Sequence, residues 1–248
     1  MPTVLITGAN RGIGAGFVEG YLAKGYTVIA AARDPSAVKT KDGVIPVKLD
    51  VSSQTDALDA VSELRSKHGL TSIDIIIANA GTHGTNQKLK DVPASVMHEC
   101  WTVNTLGPLL LYQAVYPLIP RTGKFVVISS YRGMIGQQHE TLEGAYGHSK
   151  AAVNYIVSKL HCEEVFITLA LNPGWVQTEM GNRSAQFAGF GEKAPQQIQD
   201  VIGEAWREVK AQDKGWTLTS VPGQFLEPMI NLIDKSTKNG NSGKFLQW

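Results

Sequence analysis

Two side chains in the middle of the chain have a spacing that suits proton transfer. Tyr146 and Lys150 are four residues apart in a stretch with helical periodicity, so they share one face of the predicted helix. A phenol has an ordinary pKa of about 10, and a nearby ammonium lowers it because it favours the phenolate. The pair could therefore act as a general acid or base on a substrate oxygen. The plain alternative is a pair of surface side chains.

Ser130 offers a hydroxyl at the end of the apolar run Lys124–Ser129. A hydroxyl in this position could hydrogen-bond a substrate oxygen and stabilise the charge that develops there during a reaction. It could equally cap the strand end, and Ser129 beside it provides a second hydroxyl.

A glycine-rich turn follows the first apolar run of the chain. Gly8, Gly12 and Gly14 lie between that run and a stretch with helical periodicity. Glycines allow a positive φ and let a phosphate approach the backbone, and the N–H groups at a helix start bind anions. A turn after the first strand is where a dinucleotide site requires it. The alternative is a turn that uses glycine only for steric reasons.

The end of the second apolar run indicates which dinucleotide would bind. NAD sites have an acidic residue there for the ribose 2′-hydroxyl, but this chain has Ala32 followed by Arg33. Arg11 in the glycine turn is a second cation, and guanidinium groups suit a 2′-phosphate. Asp34 favours NAD but stands two residues late. The sequence therefore predicts NADP(H), with solvated loop arginines as the alternative.

Composition limits the possible partners. The 248 residues are 43% hydrophobic and 18% charged, with 23 basic and 22 acidic side chains and a net charge of +1. Such a chain is globular and has no broad field for nucleic acid or anionic membrane. Cys100, Cys162 and the six histidines have no metal-ligand spacing, so we predict no catalytic metal. No signal peptide is recognisable, and we expect a soluble cytoplasmic protein.

The elements that would position these residues alternate in type. Short β-branched runs alternate with helical patterns, which predicts an α/β fold of the Rossmann type: a doubly wound parallel sheet of about seven strands with helices on both faces. We find no repeat or linker and expect one domain over 1–248. The runs are Thr3–Thr7, Thr27–Ala31, Val44–Leu49, Ile73–Ala78, Lys124–Ser129, Val165–Leu171 and Gly243–Leu246.

Helical stripes are predicted between these runs. One contains Phe17, Val18, Tyr21 and Leu22. Another follows the expected N-caps Ser52 and Ser53 and contains Leu58, Val61, Leu64 and Arg65.

Seven segments in order resemble the short-chain dehydrogenase/reductase family along the whole chain. Within it, the chain resembles the branch of fungal norsolorinic-acid-type ketoreductases and their sniffer and C-factor-like relatives. The matching segments are Thr7–Gly14, Asp50-Val51, Asn79-Ala80-Gly81, Asn104, Ser129-Ser130, Tyr146–Lys150 and Asn172–Thr178.

The resemblance implies a catalytic set of Ser130, Tyr146, Lys150 and Asn104. Ser130 is preferred to Ser129 because the family's reactive serine is the second of the pair. Asn104 would help hold a water that links Lys150 to solvent, although it could be a simple helix N-cap. The sixteen residues from Ser130 to Tyr146 exceed the usual family gap. The implied cofactor contacts are Gly8, Asn10, Arg11, Gly12, Ile13, Gly14, Arg33, Asp50, Val51, Asn79, Ala80, Gly81, Tyr146, Lys150, Pro173, Gly174, Val176 and Thr178.

These residues together predict an NADPH-dependent carbonyl reductase for a bulky or aromatic ketone. The alternatives are an epimerase or dehydratase on the same scaffold and a catalytically silent nucleotide-sensing regulator. Family members often form homodimers or homotetramers. The pattern loosens after Thr178, and we expect a substrate lid at about 179–219, in which Phe187 and Phe190 supply aromatic surface. The helix predicted at 194–210 could instead simply pack on the body of the protein.

Overall fold

A computed structural model describes residues 1–136, 141–174, 176, 178–187 and 222–247. Seven strands form one parallel sheet in the order β3-β2-β1-β4-β5-β6-β7. The predicted fold class is confirmed, and every predicted run agrees with its strand to within two residues at each end. The strands are β1 Thr3–Thr7, β2 Thr27–Ala32, β3 Val44–Lys48, β4 Ile75–Ala78, β5 Lys124–Ile128, β6 Ile167–Asn172 and β7 Phe245–Gln247.

Helices connect the strands, and a π-helical turn, Thr102–Leu106, joins α3 to α4. Short 3-10 turns occupy Pro35–Ala37, Leu89–Asp91, Tyr116–Leu118 and Tyr131–Gly133. The α-helices are α1 Gly12–Ala23, α2 Asp56–His68, α3 Ala94–Trp101, α4 Gly107–Val115, α5 Gly144–Glu163, α6 Glu179–Phe187 and α7 Pro222–Lys235. No helix in these ranges is long and apolar enough to cross a membrane.

The sheet has a hydrophobic core on each face, because side chains alternate along a strand. Leu5 belongs to the core that contains Leu64 of α2 and Val153 of α5. Its neighbour Ile6 belongs to the core that contains Phe17 of α1. Apolar side chains therefore lie on both faces of the parallel sheet. Helices α2 and α5 cover one face and α1 covers the other, so the strands are apolar nearly throughout.

Helix α2 differs from its predicted stripe at two positions, since Arg65 is exposed as well as Leu58. Leu58 is 58% exposed, whereas Ala57 and Ala60 are buried beside Val61 and Leu64. The inward placement of Leu58 was therefore wrong, because the narrow apolar face of this helix is completed by alanines. The expected N-caps Ser52 and Ser53 were wrong, because the N-cap is Thr55; Ser53 nevertheless accepts a hydrogen bond from the backbone N–H of Asp56, the first helical residue, at 3.2 Å.

The segment after β6 begins with a regular helix, which its loose sequence pattern did not indicate. Helix α6 covers Glu179–Phe187. A Cβ on Gly181 would lie 2.1 Å from the carbonyl oxygen of Val176, so this glycine allows close packing. Phe190, the predicted helix at 194–210 and most of the predicted lid lie outside the described residues, as does the side chain of Phe187.

Candidate active site

Three of the predicted catalytic residues meet where β5 and α5 approach each other. The hydroxyl of Ser130, just after β5, lies close enough to the phenol of Tyr146 on α5 to lower its pKa. Lys150 lies one turn further along α5, with its Nζ 5.5 Å from the centre of the Tyr146 ring. The ammonium donates a hydrogen bond to the carbonyl oxygen of Ile128 at 2.8 Å.

The neighbouring hydroxyl of Ser129 has a different partner. Ser129 is buried and donates a hydrogen bond to Oδ1 of Asn154 at 2.6 Å. Ser130 instead accepts a hydrogen bond from the backbone N–H of Arg132 at 3.2 Å and keeps its contact with Tyr146. The hydroxyl of Ser129 is therefore bonded to Asn154, whereas the hydroxyl of Ser130 faces Tyr146.

Burial dominates the proton affinity of Tyr146. Desolvation raises the pKa of the phenol to about 12; the hydrogen bond from Ser130 lowers it in part, while the Glu143 charge raises it further. The net shift is upward, so the expectation of a lowered pKa for Tyr146 is wrong. Burial also lowers the pKa of Lys150, to about 8, and its ammonium is bonded to a backbone carbonyl rather than to the phenol.

Asn104 lies inside the π-helical turn Thr102–Leu106, so it is not a helix N-cap. Its fully buried amide donates hydrogen bonds to the carbonyl oxygen of Thr82 at 2.8 Å and to Ser149 Oγ at 3.0 Å, and accepts one from the backbone N–H of Thr82 at 2.8 Å. A Cβ on Gly81 would lie 3.1 Å from Asn104 Oδ1 and 3.8 Å from Lys150 Nζ. Asn104 therefore ties the loop after β4 to α5 close to Lys150.

The glycine turn has the conformation that its sequence indicated. Gly8 and Gly12 have φ values of +65° and +55°. A Cβ on Gly14 would lie 2.2 Å from the carbonyl oxygen of Gly8, so the turn is closed to any side chain there. Helix α1 begins without a side-chain cap, which leaves its first N–H groups available to an anion.

The ends of β1 and β4 are bonded to each other beside this turn. Thr7 Oγ1 accepts hydrogen bonds from the backbone N–H groups of Asn79 at 3.0 Å and Ala80 at 3.1 Å. The side-chain amide of Asn79 donates to the carbonyl oxygen of Thr7 at 2.9 Å. The predicted cofactor segments of the two strands therefore form one connected surface.

The residues expected to choose between NAD and NADP have distinct surroundings. Arg33 is exposed directly after the buried Ala32. Asp34 Oδ1 accepts hydrogen bonds from the N–H of Ser36 at 2.9 Å and from its hydroxyl at 2.6 Å, so this carboxylate caps the turn Pro35–Ala37. Arg11 is exposed and forms an ion pair with Glu179 of α6, a contact that the sequence did not indicate.

The remaining predicted cofactor residues line the same edge of the sheet. Asp50 follows β3, and its Oδ1 accepts hydrogen bonds from the N–H of Ser52 at 2.9 Å and from its hydroxyl at 2.7 Å. Gly174 has a φ of +69°, and Thr178 approaches the glycine turn, since a Cβ on Gly12 would lie 3.2 Å from its Cγ2. The other members of the set are exposed or partly buried (Asn10, Ile13, Val51, Gly81) or buried (Pro173, Val176).

Comparison with known proteins decides the family. The family model described as short chain dehydrogenase matches residues 2–188. The chain belongs to the short-chain dehydrogenase/reductase family. Among solved structures of this fold, the KRED1-Pglu enzyme is 23% identical, with a TM-score of 0.79 over 99% of this chain and 100% of that chain.

Curated relatives of this dehydrogenase/reductase include two norsolorinic acid ketoreductases. The one from Dothistroma septosporum is 34% identical over 98% of this chain and 88% of its own length. The one from Aspergillus parasiticus is 35% identical over 80% of this chain and 79% of its own. A solved NADPH-bound carbonyl reductase from chicken fatty liver is 25% identical, with a TM-score of 0.77 over 100% of this chain and 96% of that chain. These findings confirm the predicted family and its ketoreductase branch.

One residue of this short-chain dehydrogenase/reductase was missed by sequence reasoning. The ring of His83 stacks on that of Tyr146, with 5.0 Å between ring centroids. Its position four residues after Asn79, in the loop that follows β4, was the available signal. Within the described residues, no group of three or more His, Cys, Asp or Glu side chains is arranged to hold a metal ion.

Proposed function

We propose that this short-chain dehydrogenase/reductase is an NADPH-dependent carbonyl reductase that interconverts a ketone and the corresponding alcohol. The observation that carries the proposal is the placement of the Ser130 hydroxyl near the partly buried phenol of Tyr146, with Lys150 on the next turn of the same helix. An oxygen that binds between the two hydroxyls would meet a proton donor and a hydrogen-bonding partner together.

Tyr146 is the proton donor in this proposal. Because the pKa of its phenol is about 12, Tyr146 holds its proton at neutral pH, as an acid in carbonyl reduction must. Ser130 would hydrogen-bond the carbonyl oxygen and stabilise the charge that grows on it. The ammonium of Lys150 would favour the phenolate that remains after the proton has left. Asn104 would keep the loop after β4 in place beside Lys150.

The residues at the carboxyl edge of the sheet fit a dinucleotide. Gly8, Gly12 and Gly14 leave room for a phosphate against bare backbone, and the uncapped start of α1 provides N–H groups for it. When bound, the nicotinamide supplies the hydride. We place the adenine beside Asp50 and Val51. The proposed nicotinamide side contains Asn79, Ala80, Gly81, Pro173, Gly174, Val176 and Thr178.

The preference for NADPH rests on charge at the end of β2. Exposed Arg33 is free to face a 2′-phosphate, whereas Asp34, the nearest acid after β2, is bonded to Ser36. Arg11 could join Arg33 by exchanging the Glu179 carboxylate for the phosphate. The NADPH-bound carbonyl reductase with the same fold supports this choice.

We further propose a bulky or aromatic ketone as the substrate class, since the relatives include norsolorinic acid ketoreductases. In this proposal 1–248 is one domain, and 179–219 covers the bound ketone, with Phe187 and Phe190 as candidate contacts.

A screen of carbonyl compounds tests the function. Purified protein is mixed with NADPH and a panel that runs from small aldehydes to aromatic polyketide-like ketones, and loss of NADPH absorbance is followed. We expect turnover of at least one bulky ketone. Tyr146→Phe should bind NADPH normally and lose turnover by about 10²–10⁴-fold, the range for a general acid. Tyr155→Phe, an exposed tyrosine on the same helix, is the matched control. Normal turnover by Tyr146→Phe would overturn the proposal.

A further inference from the structure

Four polar side chains from four separate segments meet beside Tyr146. We call them the His83 cluster: His83 after β4, Arg132 after β5, Glu143 before α5 and Ser184 in α6. Glu143 Oε1 lies 2.8 Å from His83 Nε2, and Glu143 Oε2 lies 2.5 Å from Arg132 Nε. Ser184 Oγ lies 2.9 Å from His83 Nε2.

The His83 ring is held tightly in this cluster. The side chains of His83 and Glu143 are only 11% and 10% exposed. Burial opposes ionisation of Glu143, but the hydrogen bond from His83 and the charge of Arg132 outweigh it and bring the pKa of this carboxyl to about 2. An ionised carboxylate can only accept hydrogen bonds, so Nε2 of His83 carries a hydrogen and donates a hydrogen bond to Glu143, with Ser184 Oγ as a second acceptor of the same N–H.

The orientation of His83 bears directly on Tyr146. The two rings are stacked, with an angle of 28° between their planes and 5.0 Å between their centroids. Stacked aromatic pairs have a preferred geometry, so one immobilised ring restricts the orientation of the other. The stacked His83 ring therefore helps to keep the phenol of Tyr146 directed at Ser130.

The backbone around the cluster is also connected. Gln87 N–H, in the loop after β4, donates a hydrogen bond to the carbonyl oxygen of Leu142 at 2.9 Å. Glu143 lies three residues before Tyr146, in the segment that joins Ser130 to α5. This segment thus supplies the carboxylate that fixes His83.

We propose that His83 is a positioning residue for proton transfer. Its ring, fixed by Glu143 and Ser184, holds the Tyr146 phenol towards Ser130, and through Ser184 it makes the orientation of the phenol depend on the placement of α6. The inference rests on the proposed carbonyl reduction and adds a residue to its machinery.

The test compares His83→Ala, Ser184→Ala and the double variant with the wild type. We expect His83→Ala to lower kcat by about ten- to hundredfold, the loss that a misplaced reacting group causes, and to leave the Kd for NADPH unchanged. Ser184→Ala should lower kcat by less, and should add nothing in the His83→Ala background, because Ser184 reaches Tyr146 only through His83. The solvent deuterium isotope effect on kcat should rise in His83→Ala, since transfer of the Tyr146 proton becomes slower relative to other steps.

Two replacements separate the ring from the hydrogen bond. His83→Phe keeps a ring against Tyr146 and should recover part of kcat, whereas His83→Gln keeps a donor for Glu143 and should not. The matched control is His148→Ala, because His148 is likewise in a ring stack, with Trp101 at 6.4 Å, and its Nδ1 is bonded to the carbonyl oxygen of Ala145. Its kcat should stay at the wild-type value.

The outcomes distinguish this inference from the proposed function. If the wild type reduces no carbonyl with NADPH, the proposed function fails and the inference fails with it. If the wild type is active but His83→Ala keeps its kcat and isotope effect, only the inference is overturned. Rescue by His83→Gln and not by His83→Phe would also overturn it, because the hydrogen bond rather than the stacked ring would then be what matters. A purely structural role would lower Tm and the fraction of protein that binds NADPH without moving the isotope effect.

Discussion

Tyr146 keeps its proton at neutral pH because burial raises the pKa of its phenol to about 12. The same burial acts in the opposite direction on Lys150 and lowers the pKa of its ammonium to about 8. Both pKa shifts suit carbonyl reduction. At neutral pH Tyr146 is a neutral proton donor and Lys150 beside it is a cation, which loses its charge above about pH 8. The proposed acid and its partner titrate in well-separated ranges.

These shifts predict the pH dependence of ketone reduction. The rate should fall as the pH rises through about 8, because Lys150 then loses the charge that stabilises the phenolate, while Tyr146 remains protonated until about 12. The measurement is kcat/KM for NADPH oxidation at constant ionic strength across the alkaline range, after checking that the protein remains folded. A rate that stays constant until the tyrosine itself titrates would contradict the role given to Lys150.

At the scale of elements, the carboxyl ends of neighbouring strands bring the site together. The loops after β4 and β5 supply Asn79 and Ser130, and the glycine turn after β1 is bonded to the end of β4 through Thr7. The loop after β2 holds Arg33 further along the same edge. Cofactor choice and proton transfer therefore belong to different loops, which makes them separable by substitution.

Replacement of Arg33 should change cofactor choice alone. Arg33→Ala removes a charged partner of the 2′-phosphate, so we expect Kd for NADPH to rise by about ten- to hundredfold. NADH has no such phosphate, and its Kd should not change. Titration with both cofactors measures this, and Arg121→Ala, an exposed arginine in the turn before β5, is the control. Equal weakening of NADPH and NADH would show that Arg33 has another role.

The ion pair between Arg11 and Glu179 predicts a gain in affinity. Both side chains are exposed, with 66% and 78% of their surfaces accessible, so the pair is weak and competes with a phosphate for the guanidinium. Glu179→Gln should therefore tighten NADPH by about two- to fivefold at low salt and leave NADH unchanged. Glu163→Gln, which breaks the surface pair with Lys159 on α5, should change neither affinity. Tighter binding of both NADPH and NADH would contradict this explanation, because NADH has no 2′-phosphate to compete with Glu179 for Arg11.

The strands and the catalytic spacing were predictable from sequence because they depend on local patterns. The isoleucines of β4 and the four-residue interval from Tyr146 to Lys150 carry their structure within a few residues. Leu58 was misplaced because two small alanines, not one large side chain, face the sheet. The pKa of Tyr146 and the His83 stack could not be predicted, because they depend on burial and on contacts between loops far apart in the chain.

At the scale of the whole molecule, Glu143 connects regions that the sheet alone leaves separate. Its carboxylate bonds to His83 from the loop after β4 and to Arg132 from the loop after β5, and His83 in turn contacts Ser184 of α6. Because the group is buried, loss of its charge would leave the guanidinium of Arg132 without its anion. The stability of the fold should therefore depend on the ionisation of this one carboxyl.

The pKa of Glu143 gives the pH range in which this dependence appears. Its value in the folded protein, about 2, lies below the ordinary value of 4.5, so the ionised form favours folding. The stabilisation is complete above about pH 4.5 and is lost as the pH falls towards about 2. Glu143→Gln should lower Tm at neutral pH, and the difference from the wild type should shrink across that range. Thermal unfolding at a series of pH values measures this, and Glu63→Gln, which breaks an exposed pair with Lys67, should match the wild type throughout. A difference in Tm that stays constant from neutral pH down to about 2 would mean that the charge of Glu143 contributes nothing and that only its shape matters.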